Sequence, residues 1–351
     1  MTRLVQYLSG RPFWDDELFL RTNLMSRSYG ELLNSLDNVQ AALIGFLWVS
    51  KSVALIAGYD EYALRFYPLV MGLGCTVLLY LLCLRIAPKS TPFVLFLFAV
   101  SNIFIYYTSE FKPYSSDAFF ALLLWLLILI YIQEHSRSAL ITWSLIGMIA
   151  VWFSYPVVFV ISGIGLVLIL LTAWRRQFAK SGRLIFACSI PAISFMIAYA
   201  LFYQHVARGS DLSVAMLDYW QQSFVSLTPS SLLSAFFEVF TWLSGLNQFG
   251  LLIIVLAFFI VGLLNMRLLH TAILLSPCFM TIIASMLQYY PFRNRLILFL
   301  LPAFMIIIGY GASKFYQDIS TQHRWISNVL MAMIAIAYML QLNVMQDTLG
   351  Y

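Results

Sequence analysis

Charge is what this sequence has least of. Only 10% of its 351 residues are Asp, Glu, Lys or Arg, whereas 62% are hydrophobic and the mean hydropathy is +0.87. A soluble domain carries about 25% charged residues, so water is not the solvent of this chain. Cysteine is sparse too: Cys75, Cys83, Cys188 and Cys278 each stand inside an apolar run, with no CxxC pair and no His at ligand spacing. That pattern supports neither a disulfide scaffold nor a zinc site and predicts free thiols. A basic stripe is missing as well. The formal charge of +5 comes from Lys and Arg scattered between apolar runs, which argues against nucleic acid as a partner. There is no low-complexity segment and no visible internal repeat, so the inverted-repeat signature of many secondary transporters is absent. The opening MTRLVQYLSGRPFWDDELF has no apolar h-region, so neither a cleavable signal peptide nor an ordinary first span is expected ahead of its acidic cluster.

What fills the chain instead is apolar sequence. A bilayer core takes roughly 20 apolar residues per helix, so this length holds about ten spans with short connectors and leaves no room for a separate soluble domain. Ten runs fit, from Leu69–Ile86 to Trp325–Leu342. The fold class is therefore expected to be all-α: a polytopic integral membrane bundle of about ten transmembrane helices, with interfacial helices on the outer face. We read 1–351 as a single transmembrane domain. Residues 1–64 form a first outer loop with an acidic motif and a juxtamembrane helix, 65–203 a first helix bundle, 204–250 a long outer loop, and 251–351 the C-terminal helices. Within the long loop, SLLSAFFEVFTWLSGL suits a helix lying in the interface.

The connectors alternate in character. One set carries Arg85, Lys89, Arg137, Arg175, Arg176, Lys180, Arg183, Arg267, Lys314 and Arg324 against only Glu134 and Asp318, and the positive-inside rule assigns it to the cytoplasm. The opposite set holds Asp60, Glu61, Glu110, Asp117, Asp211, Asp218 and Glu238 and is expected outside. Val39–Ala57 is apolar but carries Lys51 near its middle, so it either spans or lies flat. If it spans, Asp16 faces the cytoplasm, an orientation that Arg3, Arg11, Arg21 and Arg27 favour.

Three constellations could carry chemistry. In FWDDELF, Asp15, Asp16 and Glu17 repel one another beside Phe13, Trp14 and Phe19, a setting that raises a carboxyl pKa as a general base requires; the plain alternative is an acidic helix start on a solvated loop. In YYTSEFKPYSSD, Glu110, Lys112, Tyr114 and Asp117 crowd around Pro113, offering a cation for phosphate and carboxylates and hydroxyls for sugar, or simply a capped interhelical loop. Arg65 in EYALRFYP and Arg293 and Arg295 in YYPFRNRLILFLLP run against the positive-inside trend, which suggests an anionic partner on the outer face; otherwise each is a snorkelling guanidinium.

The order of these motifs resembles that of GT-C fold glycosyltransferases, in the branch that includes protein O-mannosyltransferases and lipid A aminoarabinose transferases. The series is W-x-D-E (Trp14, Asp16, Glu17), AALIGFLWVSK, EYALRFYPLVMG, YYTSEFKPYSSD and YPFRNRLILFLLP, and it covers most of the chain from Phe13 to Pro302. The resemblance implies a GT-C-like bundle and inverting transfer of a sugar from a polyprenyl-phosphate donor to an acceptor hydroxyl at the outer face of the plasma (inner) membrane. It makes Asp16 the catalytic carboxylate and Glu17 its partner. Arg65, Lys112 and Arg295 then lie near the lipid phosphate, and Glu110 and Tyr114 fall in the second-loop motif. Asp117 and Arg293 complete the candidate substrate-binding set. The implied partners are the polyprenyl-linked donor, a glycan, lipid or protein acceptor, and the bilayer. No cofactor is assigned, although Asp15, Asp16, Glu17 and Glu110 could converge on a divalent ion. The rival reading is a transporter or flippase of a lipid-linked or anionic solute, which calls for ionisable residues near mid-bilayer.

Overall fold

In the computed structural model, which describes residues 2–38, 40–203, 219–244, 249–319 and 321–348, long apolar helices pack side by side and the short polar-flanked ones collect at one end. The helices are α1 (Thr2–Leu8), α2 (Asp15–Ser26), α3 (Ile44–Ala57), α4 (Glu61–Ile86), α5 (Thr91–Val100), α6 (Asn102–Thr108), α7 (Tyr114–Glu134), α8 (Arg137–Ala150), α9 (Val157–Trp174) and α10 (Phe178–Ala198). They continue with α11 (Pro229–Ser244), α12 (Phe249–Asn265), α13 (Leu268–Met286), α14 (Leu301–Asp318) and α15 (Arg324–Thr348). Among the described residues there is no strand. The chain is a polytopic, all-helical membrane protein.

Against the ten spans expected, six helices among the described residues are long and apolar enough to cross a bilayer: Glu61–Ile86, Tyr114–Glu134, Val157–Trp174, Phe178–Phe202, Leu268–Met286 and Asn294–Asp318. A seventh crossing is made if α5 and α6, bent by 60° at their junction, count as one. The apolar helices α3 and α8 have 14 residues each and α12 has 17. At about 1.5 Å per residue a 14-residue helix falls well short of the roughly 30 Å hydrocarbon core. Within Val39–Ala57, α3 is therefore short for a span, and Lys51 donates from Nζ to Leu24 O at 2.8 Å, tying α3 onto α2. Of the expected loop 204–250, residues 204–218 and 245–248 lie outside the described residues, Asp211 and Asp218 with them; the rest includes α11.

The bend between α5 and α6 has an identifiable support. The carbonyls of Phe98 and Ala99 accept from Arg3 Nη2 at 2.8 Å and Thr2 Oγ1 at 2.7 Å, and the Arg3 guanidinium lies 4.4 Å from the Phe98 ring centroid. α1 thus satisfies polar groups at a break inside an apolar bundle. Elsewhere the helices pack on small residues. A side chain on Gly311 would run into the Phe258 carbonyl, and one on Gly262 into that of Ile307, so α12 and α14 meet backbone to backbone. Trp125, fully buried, donates its indole N–H to Ile273 O at 3.1 Å and joins α7 to α13.

The two ends of the bundle differ. Arg85 at the end of α4 pairs with Glu134 at the end of α7 at 2.8 Å, and Lys89 reaches Gln317 near the end of α14. These groups share one end. The starts of α4, α7 and the Asn294–Asp318 segment share the other, where α1, α2 and α3 also lie.

Candidate active site

Two ion systems stand side by side at that second end. The first is built around Glu17, which is 0% exposed at the third position of α2, where a carboxylate complements the positive end of the helix. Its Oε1 accepts from Arg65 Nε at 2.9 Å and from the Phe111 N–H at 2.6 Å; its Oε2 accepts from Arg65 Nη2 at 2.6 Å and the Trp14 N–H at 3.4 Å. Arg65, 2% exposed, spends its remaining donors on the carbonyls of Arg11 and Pro12 and lies 4.9 Å from the Phe13 ring centroid. Bidentate geometry and full burial make this a closed pair that fastens α2 to α4 and to the Glu110 loop. Arg65, expected beside a lipid phosphate, has its donors directed into this pair and the neighbouring backbone.

The second system is built around Asp16 and is looser. One carboxylate oxygen, Oδ2, lies 3.3 Å from Lys112 Nζ and 3.4 Å from Arg295 Nη2; the other, Oδ1, accepts from Gln40 Nε2 at 2.9 Å. Gln40 also accepts from Lys112 Nζ through its own Oε1 at 2.8 Å, so a single amide braces carboxylate and cation together. Asp16 is 25% exposed and Arg295 20%, while Lys112 is buried. Burial alone would push the Asp16 carboxyl up; Lys112, the Gln40 amide and Arg295 outweigh it and hold the group below the usual aspartate range. Burial lowers the Lys112 ammonium against the opposing pull of Asp16 and Glu110.

Arg295 is placed by aromatics. Its guanidinium lies 5.6 Å from the Trp14 ring centroid and 5.7 Å from that of Tyr114, which holds it in position without consuming its N–H groups. The backbone explains why Arg295 enters the site and Arg293 does not. Asn294 between them is in the left-handed region at φ +49°, a conformation that Asn tolerates better than most residues, and its N–H donates to Glu238 Oε1 at 3.2 Å. Arg293 is exposed, and among the described residues its guanidinium has no ion-pair partner.

Glu110 is fully buried, with Oε1 accepting from the Trp14 indole N–H at 3.1 Å and Oε2 without a partner. Burial, and then the neighbouring Glu17 charge, push its carboxyl up to about 7 despite Arg295, Arg11 and Lys112. Asp117, in the first turn of α7, is also buried and has one oxygen unpartnered. Asp15 is exposed and forms no ion pair among the described residues. Among the described residues no three His, Cys, Asp or Glu side chains gather where a metal ion could be held, so the acids do not converge as they could have. Sequence reasoning passed over Gln40, a lone amide with no motif around it, and Arg11, which donates to the Tyr106 hydroxyl at 2.9 Å and stacks on its ring.

With this geometry in place, similarity to solved structures becomes informative. No family model matches the sequence, and no curated protein matches it. The crystal structure of ArnT from Cupriavidus metallidurans bound to undecaprenyl phosphate superposes with a TM-score of 0.62 at 14% identity, covering 95% of this chain and 62% of that one. The fold is that of ArnT. The apo state of the same protein gives a TM-score of 0.59 at 13% identity, over 94% of this chain and 61% of that one. ArnT is a lipid A aminoarabinose transferase with the GT-C fold. The present chain thus spans less than two thirds of the length of its ArnT neighbour, and its architecture is of the GT-C type that the motif order suggested.

Proposed function

We propose that this chain is a membrane glycosyltransferase that moves a sugar from a polyprenyl-phosphate donor to an acceptor hydroxyl at the extracytoplasmic face, with inversion at the sugar carbon. The observation that carries the reading is the meeting of one carboxylate with two cations: Asp16, Lys112 and Arg295, the outer two 279 residues apart in sequence, lie within ion-pair distance at one end of an ArnT-like bundle. An acceptor hydroxyl is a poor nucleophile, so a base must take its proton as the anomeric carbon is attacked, and Asp16 is the partly exposed carboxylate of the pair. The leaving lipid phosphate needs no proton but gains charge, which Lys112 and Arg295 are placed to stabilise. Glu17 and Arg65 act through position, holding α2 and the Glu110 loop together. The extracytoplasmic assignment weighs the opposite end, where Arg85, Lys89, Arg137, Arg175, Arg176, Lys180, Arg183, Arg267, Lys314 and Arg324 face only Glu134 and Asp318, above the site end, where Arg3, Arg11, Arg21 and Arg27 are interspersed with acids.

ArnT in its crystal structure binds undecaprenyl phosphate, and a polyprenyl phosphate is the donor lipid inferred here. A transporter would place charge along a path through the bilayer; in the six candidate spans every Asp, Glu, Lys, Arg and His stands near one end or the other. The test is purified protein incubated with a radiolabelled polyprenyl-phosphate sugar and scored for transfer to acceptor and for translocation of intact donor. Transfer lost in Asp16→Asn, by about a hundredfold or more, supports the assignment. Translocation without transfer overturns it.

A further inference from the structure

The two ion systems described above differ in a way that the reaction can use. Glu17 and Arg65 are closed: short, bidentate, and excluded from solvent. Asp16 meets the two cations only through contacts of 3.3 and 3.4 Å, both to the same oxygen, while its other oxygen accepts from the neutral Gln40 amide at 2.9 Å, and both Asp16 and Arg295 remain partly exposed. Arg295 carries five N–H donors, of which only one group is committed to Asp16, and the flanking Trp14 and Tyr114 rings fix its position independently of that contact. Lys112 likewise has a second anchor in Gln40. Both cations can exchange their anionic partner without moving.

We propose that Asp16 is an internal stand-in for the donor's phosphate: its carboxylate occupies the place on Lys112 and Arg295 that the polyprenyl phosphodiester takes, so donor binding displaces it and makes it available as the base. This rests on the glycosyl-transfer reading and adds an order to it, donor before acceptor activation. A carboxylate shared between two cations is a poor proton acceptor; the same carboxylate relieved of them is a better one. The base is switched on by the substrate it serves.

The charges balance through the reaction. Asp16, Lys112 and Arg295 together carry one net positive charge, matched by the single negative charge of a phosphodiester. In the transfer step the acceptor oxygen bonds to the anomeric carbon, the bond from that carbon to the phosphate oxygen breaks with its electron pair going to phosphate, and the acceptor proton moves to Asp16. The phosphate becomes a dianion as Asp16 becomes neutral, so the two cations face the same total negative charge before and after. With Asp16 protonated, it no longer competes for the clamp. Reloading requires the product lipid phosphate to leave, which regains the Asp16 ion pairs once the proton is lost.

The experiment is equilibrium binding of radiolabelled undecaprenyl phosphate to the purified chain in detergent. If Asp16 competes with phosphate, Asp16→Asn binds the lipid at least ~10-fold more tightly than wild type, although it no longer transfers sugar. Asp16→Ala does the same and serves as the second variant should the amide disturb α2, with thermal melting to confirm that each is folded. Asp15→Asn, one residue away and exposed, leaves binding unchanged; equal tightening there would reduce the effect to general surface charge and overturn the proposal. Unchanged or weaker binding in folded Asp16→Asn and Asp16→Ala overturns it too, while leaving the glycosyltransferase reading intact. That reading fails on a different result: undecaprenyl phosphate binding unaffected by Lys112→Ala and Arg295→Ala, or sugar transfer retained by Asp16→Asn.

Discussion

Asp16 and Glu17 are neighbours in sequence and opposites in use, because successive residues on a helix point about 100° apart. Glu17 turns inward to Arg65 and Asp16 turns along the face to Lys112 and Arg295. Glu17→Gln leaves a buried guanidinium without its counter-charge and is expected to destabilise the protein by about 3–5 kcal/mol, read as a lower melting temperature. Pairing it with Arg65→Met should restore part of that loss, which a double-mutant cycle measures. Glu110 makes a pH-dependent prediction. Its folded pKa of about 7 lies above the ordinary glutamate value of 4.5, so the folded state holds a proton that the unfolded state releases. Stability from this group is complete below about pH 4.5 and is lost as pH rises through 7. Glu110→Gln should flatten that decline, so its melting temperature gains on wild type between pH 5 and pH 8; parallel curves would show that the carboxyl does not titrate there. Each of these charges stood out in the sequence because its surroundings are apolar. Their pairings did not, since Glu17 and Arg65 are 48 residues apart and no local pattern records a partner at that distance.

Arg293 and Arg295 show what an element adds to a residue. Two residues apart and alike in type, they read as one motif, and the left-handed Asn294 divides them into a solvent-facing and a site-facing arginine. Asn294→Val, β-branched at a positive φ, should rotate the turn and weaken donor binding, whereas Asn294→Gly should be tolerated, as the donor KM would report. Arg295→Ala removes a charge-assisted contact of roughly 1.5–3 kcal/mol. Because phosphate charge grows during bond breaking, the loss of about one to two orders of magnitude should appear in turnover at saturating donor, and Arg295→Lys should recover only part. An effect confined to KM would make Arg295 a binding residue alone. The same reasoning shows why α3 is ambiguous as sequence: its apolarity is that of a span, and only its 14-residue length and the Lys51 contact to Leu24 set it apart from the longer helices.

At the level of the whole bundle, hydropathy made the helical class and the approximate helix positions legible, since nothing else satisfies a backbone in lipid. Of the ten runs it offered, the described residues contain six helices long enough to cross, or seven with the bent pair, since a short apolar run reads the same whether its helix spans or packs within the bundle. The polarity of the bundle is testable directly. A cysteine at exposed Arg293 should react with an impermeant thiol reagent from outside the cell, and one at exposed Arg175, at the other end of α9, only after permeabilisation. The reverse pattern would place Asp16 in the cytoplasm.

The closed Glu17 system also sets an order of events during synthesis. Glu17 leaves the ribosome first, Arg65 is made 48 residues later, and the Phe111 N–H that completes the pocket 94 residues later. A carboxylate cannot be buried ahead of its partners without a cost of several kcal/mol. The segment carrying the acidic motif is therefore translated early and docked late, staying hydrated at the membrane surface until α4 and the loop before α7 have been inserted.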